Sequence, residues 1–238
     1  MNVLVLQHIA CEPPGVFEDV LVERGAAVQR IELDEGEALP RSLDGIDAIV
    51  AMGGPMSVND ESEHLWLVAE KALIARAVKA GIPFWGSCLG VQLLASSLGA
   101  QVRQGGTPEV GVLPVYAAPA AAADPVFSGL AWPRPTLQWH SDTFDLPAGA
   151  TLLATSPEYR NQAFRVGRVA YGVQFHVEVD ASMADEWARV PAYVASADAV
   201  LGPGGLDRLL ADFRGSMEQM QADGRLLFTR WVELWSTG

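Results

Sequence analysis

Positive charge is what this chain most lacks. Its 238 residues carry 16 lysines and arginines against 29 aspartates and glutamates, a formal net charge of −13. That balance repels phosphate backbones and anionic lipid, so nucleic acid and membrane are poor partners. Lys71 and Lys79 lie isolated in one helical stretch and form no basic patch. Long apolar runs are missing too: nothing approaches the roughly 20 residues that span a bilayer. The opening MNVLVLQHIACEPPG lacks a basic leader, and its apolar run is only as long as a strand, so it does not read as a signal peptide. Cysteine is scarce. Cys11 and Cys88 are the only two. They suggest no disulfide framework, and without a CxxC pair or close Cys/His grouping they offer no structural zinc site. A reducing cytoplasm is the expected setting, with no metal and no cofactor.

What is present suits a large core. Apolar residues make up 50% of the chain and charged residues 19%, which is not a disordered composition. Through the first hundred residues strand and helix patterns alternate. Residues 2–7, 27–33, 46–52 and 82–85 read as strands; residues 16–24, 64–80 and 88–98 read as helices, each closed by a glycine. Such alternation predicts parallel strands with crossover helices on both faces, an open α/β sheet. The second half changes character. Residues 110–117, 136–139, 151–155, 161–166 and 169–177 are strand candidates, and APAAAAD at 118–124 reads as a surface connection. Residues 181–195 and 206–223 read as helices split by GPGG, and the amphipathic tail RWVELW is expected to pack on its own domain.

Chemistry concentrates at GSCLG, residues 86–90. Cys88 stands between an apolar strand and a helix, where open parallel sheets bind ligands. The setting resembles a nucleophile elbow with cysteine in place of serine. The glycines permit a cramped backbone, and the helix N-terminus behind the sulfur favours thiolate. A packed structural cysteine would read the same way. A thiol nucleophile needs a base, and the base needs an orienting group. The chain has four histidines: His8, His64, His140 and His176. In YGVQFHVEV, His176 and Glu178 are two apart on a strand pattern and point the same way. Cys11, in a Pro/Gly loop, reads as incidental. His8, at the end of the first strand, reads as structural, and His64 belongs to the first turn of a helix.

Together GSCLGVQLLA, MGGPMSVND and GVQFHVEV resemble the class I (triad) glutamine amidotransferases, nearest the stand-alone branch similar to the glutaminase domain of GMP synthase. The likeness covers nearly the whole chain. It departs from the family pattern at Val177, where proline is frequent. The resemblance implies a flavodoxin-like α/β fold in one domain, residues 1–238, with 181–238 as closing helices. It implies that Cys88 attacks the side-chain amide carbon of glutamine, that His176 moves the proton, and that Glu178 orients His176. It assigns the oxyanion to the N–H groups of Gly54 and Leu89. It assigns the amino-acid end of the substrate to Gln92, His140, Ser141 and Asp142. Gly53-Gly54-Pro55 is a turn signal whatever its chemistry, and Asp142 could simply cap a turn.

The resemblance leaves the ammonia acceptor open. No G-x-x-x-x-G-K-[ST] phosphate loop or Ser-Gly-Gly-x-Asp-Ser loop is present, and about sixty residues follow Glu178. One reading is a glutaminase that feeds ammonia to a separate synthetase subunit. Another is an independent γ-glutamyl peptidase or hydrolase with no ammonia transfer; in either case the small-molecule partner is glutamine or a γ-glutamyl compound. Further alternatives are a DJ-1/PfpI-type cysteine hydrolase and an inactive binding protein.

Overall fold

The computed structural model describes residues 1–236. Its centre is a nine-stranded sheet in the order β2-β1-β3-β4-β9-β8-β7-β5-β6. The strands β1 (Asn2–Gln7), β2 (Ala27–Glu32), β3 (Ala48–Ala51), β4 (Phe84–Ser87) and β9 (Ala170–Val173) pair in parallel. The strands β8 (Ala163–Val166), β7 (Thr151–Thr155), β5 (Val102–Ala117) and β6 (Arg134–Phe144) continue the sheet antiparallel. The parallel order is the doubly wound one of flavodoxin-like folds.

Alternate residues of the central strands feed two cores. Val3, Val5, Ala48, Val50 and Trp85 face α1 (Val16–Glu23) and the long α6 (Gly205–Ser236). Leu4, Leu6, Ile49, Ala51 and Phe84 face α2 (Trp66–Lys79) and α3 (Leu89–Ser97). Strands buried on both faces need apolar side chains at every position, which is why AIVA and its neighbours show no polar alternation. A third apolar cluster lies under α4 (Ala181–Trp187) and α5 (Pro191–Leu201), where Trp187, Tyr193, Leu209 and Phe213 cover Trp139, Leu137 and Cys11.

Several expected boundaries moved, each for a visible reason. The strand expected over 169–177 ends at Val173; beyond it only His176 pairs, in an isolated bridge with Leu137. The connection at 118–124 runs over the surface as expected, with Pro119, Ala120, Ala122 and Ala123 exposed, but it is an ordered one. It forms a 3₁₀ turn over Pro119–Ala123, and buried Asp124 accepts from the Val126 and Phe127 amides and from Arg165. The strand expected from 110 begins at Val102, and an irregularity between Gln104 and Glu109 carries the glycines that hid it. The helix expected over 181–195 breaks before Pro191, since proline cannot donate the bond that would continue it. His64 stands ahead of α2 rather than in its first turn. The tail packs as expected, with Trp231 and Val232 buried inside α6.

The helix α6 runs past the stop expected at Asp223, straight through Gly224. A Cβ at Gly224 would collide with the backbone carbonyl of Val177. Gly15, at φ 53°, is pressed in the same way against the carbonyl of Glu178, which accepts from the Val16 amide at 3.2 Å. The two glycines clamp one short segment, 177–178, between α1 and α6. Substituting Gly224→Ala raises helix propensity by about 1 kcal/mol. It should nevertheless destabilise the protein by about 1–3 kcal/mol through overpacking against Val177. Urea denaturation measures the sign; a stabilised variant would show that the close approach is not needed.

Candidate active site

The parallel strands deliver the candidate residues to one rim. His8 follows β1, Gly53 follows β3, Cys88 follows β4 and His176 follows β9, all beyond carboxyl ends. Cys88 has φ 52° and ψ −108° and is the one non-glycine residue with positive φ among the described residues. Such a backbone costs of order 1–3 kcal/mol and persists only where its surroundings impose it. Here three contacts do so. The Cys88 amide donates to the Val173 carbonyl at 2.9 Å, tying the bend to the end of β9. A Cβ at Gly86 would lie 2.5 Å from the Gly90 carbonyl, and one at Gly90 would collide with the Ala51 carbonyl. The glycines of GSCLG are therefore needed where α3 starts directly on top of β4 and β3.

His176 and Glu178 lie behind the sulfur, 2% and 1% exposed. His176 Nδ1 meets Glu178 Oε1 at 2.6 Å, which leaves Nε2 for the thiol. The second carboxylate oxygen accepts from the Val177 amide at 2.9 Å, so the acid is fixed in two directions. Burial opposes a charged imidazole, but the neighbouring Glu178 and Cys88 outweigh it and hold the His176 pKa well above its ordinary value. Burial pushes the Cys88 thiol up while His176 pulls it down, and burial wins. Trp187 packs edge-on to the imidazole, ring centres 4.8 Å apart.

In front of the sulfur is a cleft of about 280 Å³. Gly54, Leu89, Gln92, His140, Ser141 and Asp142 all line it with Cys88, so the structure brings every front-side candidate together. Leu89 is the first residue of α3, where an N–H has no intrahelical partner. Some side chains are already engaged. Gln92 donates its amide to Gln174 at 3.1 Å, and Gln174 in turn points Nε2 at Cys88 Sγ, 3.7 Å away. The His140 ring meets Glu109, Gln138 and the Asp142 carbonyl, so it braces β6 rather than offering a free nitrogen to the cleft. Asp142 accepts from the Ser57 hydroxyl at 2.7 Å, and the Ser141 carbonyl accepts from Tyr159.

Sequence reasoning missed two residues at the centre. Gln174 lies two positions before His176, so the alternation that paired His176 with Glu178 could have found it. Glu12 had no such signal. It is buried, takes the Tyr193 hydroxyl on one oxygen, and its other oxygen is without a hydrogen-bond partner among the described residues. A Cβ on Gly53 would collide with that oxygen and lie 3.2 Å from the His176 ring, so the Glu12 carboxylate sits close against both. Burial pushes the Glu12 pKa up, against the pull of His176 and Tyr193. Its neighbour Cys11 is buried with its thiol pushed up to about 12, and its carbonyl accepts from the Trp187 indole at 2.8 Å.

A strained elbow sulfur, an imidazole and a fixed carboxylate on an open α/β sheet define the class of cysteine-dependent hydrolytic enzymes. Known proteins narrow the class. Residues 16–187 match the family model described as glutamine amidotransferase class-I. The glutamine amidotransferase-like protein YfeJ of Salmonella typhimurium is 33% identical over 181 residues, 75% of this chain and 76% of that one. A glutamine-hydrolyzing GMP synthase subunit of Saccharolobus solfataricus is 32% identical over 139 residues, 58% of this chain and 70% of that one. A crystal structure of a glutamine amidotransferase from Thermotoga maritima superposes with a TM-score of 0.86 at 33% identity, covering 98% of both chains. The chain belongs to the class-I glutamine amidotransferase family, whose members are glutamine-hydrolysing cysteine enzymes.

The two thiols should separate chemically. Mass spectrometry after brief treatment with a glutamine-like electrophile should find Cys88 modified and Cys11 intact. Earlier labelling of Cys11 would mean that its burial does not protect it.

Proposed function

We propose that this protein hydrolyses the side-chain amide of glutamine, or a related γ-glutamyl amide, through a thioester on Cys88, and releases ammonia. The observation that carries this reading is the strained sulfur of Cys88 with the His176–Glu178 pair behind it. The Cys88 thiol gives its proton to His176 Nε2 as its sulfur attacks the amide carbon. The N–H groups of Gly54 and Leu89 receive the oxyanion. Glu178 stabilises the imidazolium, which then protonates the departing nitrogen as the C–N bond breaks. Water attacks the thioester with His176 as base, giving glutamate and the free thiol. Gln92, Ser141 and Asp142 would hold the amino-acid end of the substrate, with the His140 ring as a brace. Residues 1–238 would act as one domain, with 181–238 closing it in the cytoplasm; positions 237–238 lie outside the described residues.

The likeness to the Saccharolobus GMP synthase subunit supports delivery of ammonia to a separate synthetase. A second reading is an independent γ-glutamyl hydrolase that transfers no ammonia. The acyl-enzyme chemistry is the same; only the leaving amine differs.

Purified protein should be screened against glutamine and a panel of γ-glutamyl amides and peptides. Weak turnover confined to glutamine would favour a missing synthetase, and rapid turnover of one other γ-glutamyl compound the independent hydrolase. Removing the nucleophile in Cys88→Ala should abolish turnover while the fold is kept, a loss of several orders of magnitude. Full turnover by that variant would refute the assignment. Glu178→Gln should lower kcat by about two to four orders of magnitude with little change in KM. Losing the carboxylate lowers the His176 pKa, so the limb of the pH–rate profile that reports His176 should move to lower pH. An unshifted limb and an unchanged rate would remove Glu178 from its role.

A further inference from the structure

The peptide joining Gly53 to Gly54 has a second side. Its N–H belongs to Gly54, which lines the cleft with Cys88. Its carbonyl, on Gly53, lies 3.2 Å from His8 Nδ1. The other ring nitrogen of His8 lies 2.9 Å from Glu70 Oε1, on α2. His8 and Glu70 are both completely buried, and Trp66 stacks on the imidazole with ring centres 5.4 Å apart.

Both neighbours of the ring are acceptors, one a carbonyl and one a carboxylate. A neutral imidazole has a single N–H and can satisfy only one of them; the doubly protonated ring satisfies both. Burial opposes that charge, yet Glu70, the Gly53 carbonyl and Glu12 together hold the His8 pKa above its ordinary value. The carboxylate itself is incompletely satisfied, since Glu70 Oε2 has no hydrogen-bond partner among the described residues. A buried ion pair is weak evidence for stability, because apolar residues of similar volume often serve as well. Its position supplies another reason for it. The C=O of Gly53 and the N–H of Gly54 are two ends of one conjugated, planar unit. A charged donor on the oxygen draws electron density from the nitrogen and strengthens the N–H as a donor. It also fixes the plane of the peptide, and so the direction of the N–H.

We propose that Glu70 and His8 form a buried relay that aims and polarises the Gly53–Gly54 peptide, so that the Gly54 N–H binds a developing oxyanion more strongly than an uncharged neighbour would allow. Both are positioning residues: neither touches the substrate. The relay rests on the reading of Gly54 as an oxyanion donor.

The test separates chemistry that builds an oxyanion from chemistry that does not. Amide hydrolysis builds one; alkylation of Cys88 by iodoacetamide is displacement at a saturated carbon and does not. Glu70→Gln keeps an acceptor for His8 and removes the charge. The double variant His8→Asn/Glu70→Gln removes both charges and leaves two neutral amides, which keeps the test available should the single variant fold poorly. Losing a whole oxyanion donor lowers kcat about 10²–10³-fold, so weakening one should lower it about ten- to thirtyfold. KM should stay within about threefold and the rate of Cys88 alkylation within about twofold. An active wild type with kcat unchanged in both variants overturns the relay alone. Alkylation that falls in parallel with kcat also overturns it, because the damage would then be general. A wild type that hydrolyses no γ-glutamyl amide overturns the functional reading, and the relay with it.

Discussion

The backbone of Cys88 is the constraint around which the rest is arranged. An L-residue at φ 52° and ψ −108° holds only where its neighbours forbid relaxation. They do so by backbone-to-backbone contact: Gly86 against Gly90, Gly90 against Ala51, and the Cys88 amide on Val173. None of these contacts leaves room for a side chain. The sulfur is consequently lifted off the sheet by three strands, and its position depends on the register of β3, β4 and β9 as much as on GSCLG itself.

Around that sulfur the protein arranges opposing electrical demands. Burial raises the thiol and penalises the imidazolium, while Glu178 reverses the second effect and leaves the first. Two further acids sit close by. Glu12 is edged against Gly53, and Glu70 acts at one remove through His8. All three acids are buried, so each interaction is stronger than it would be in water. The basic members are rings, His8 and His176, each stacked or edged by a tryptophan.

Much of the first half was readable because its strands are short and wholly apolar, and because glycines closed the helices where helices ended. The same glycine rule failed at Gly224, where the residue is demanded by a close approach and not by a stop. The irregular part of β5 was hidden by Gly105, Gly106 and Pro108, which read as loop. For the site, Cys88, His176 and Glu178 were legible as a set. Strand alternation accounts for only half of the His176–Glu178 pairing. The two do point together, but β9 has already ended, and it is the Val177 amide that turns the carboxylate. Glu12 was illegible because a single acid in a Pro/Gly loop has no periodic partner; only the folded chain shows that it faces the ring of a residue far along the sequence.

The clamp on residues 177–178 ties the site to the order in which the chain is made. Gly15 grips that segment from near the beginning of the chain, and Gly224 grips it from deep within the last helix. A growing polypeptide therefore has its sulfur, and even its imidazole, long before it has the element that seats the carboxylate beside them. The seat of the carboxylate is thus shared by two elements more than two hundred residues apart, and a disturbance at either one reaches the same two residues.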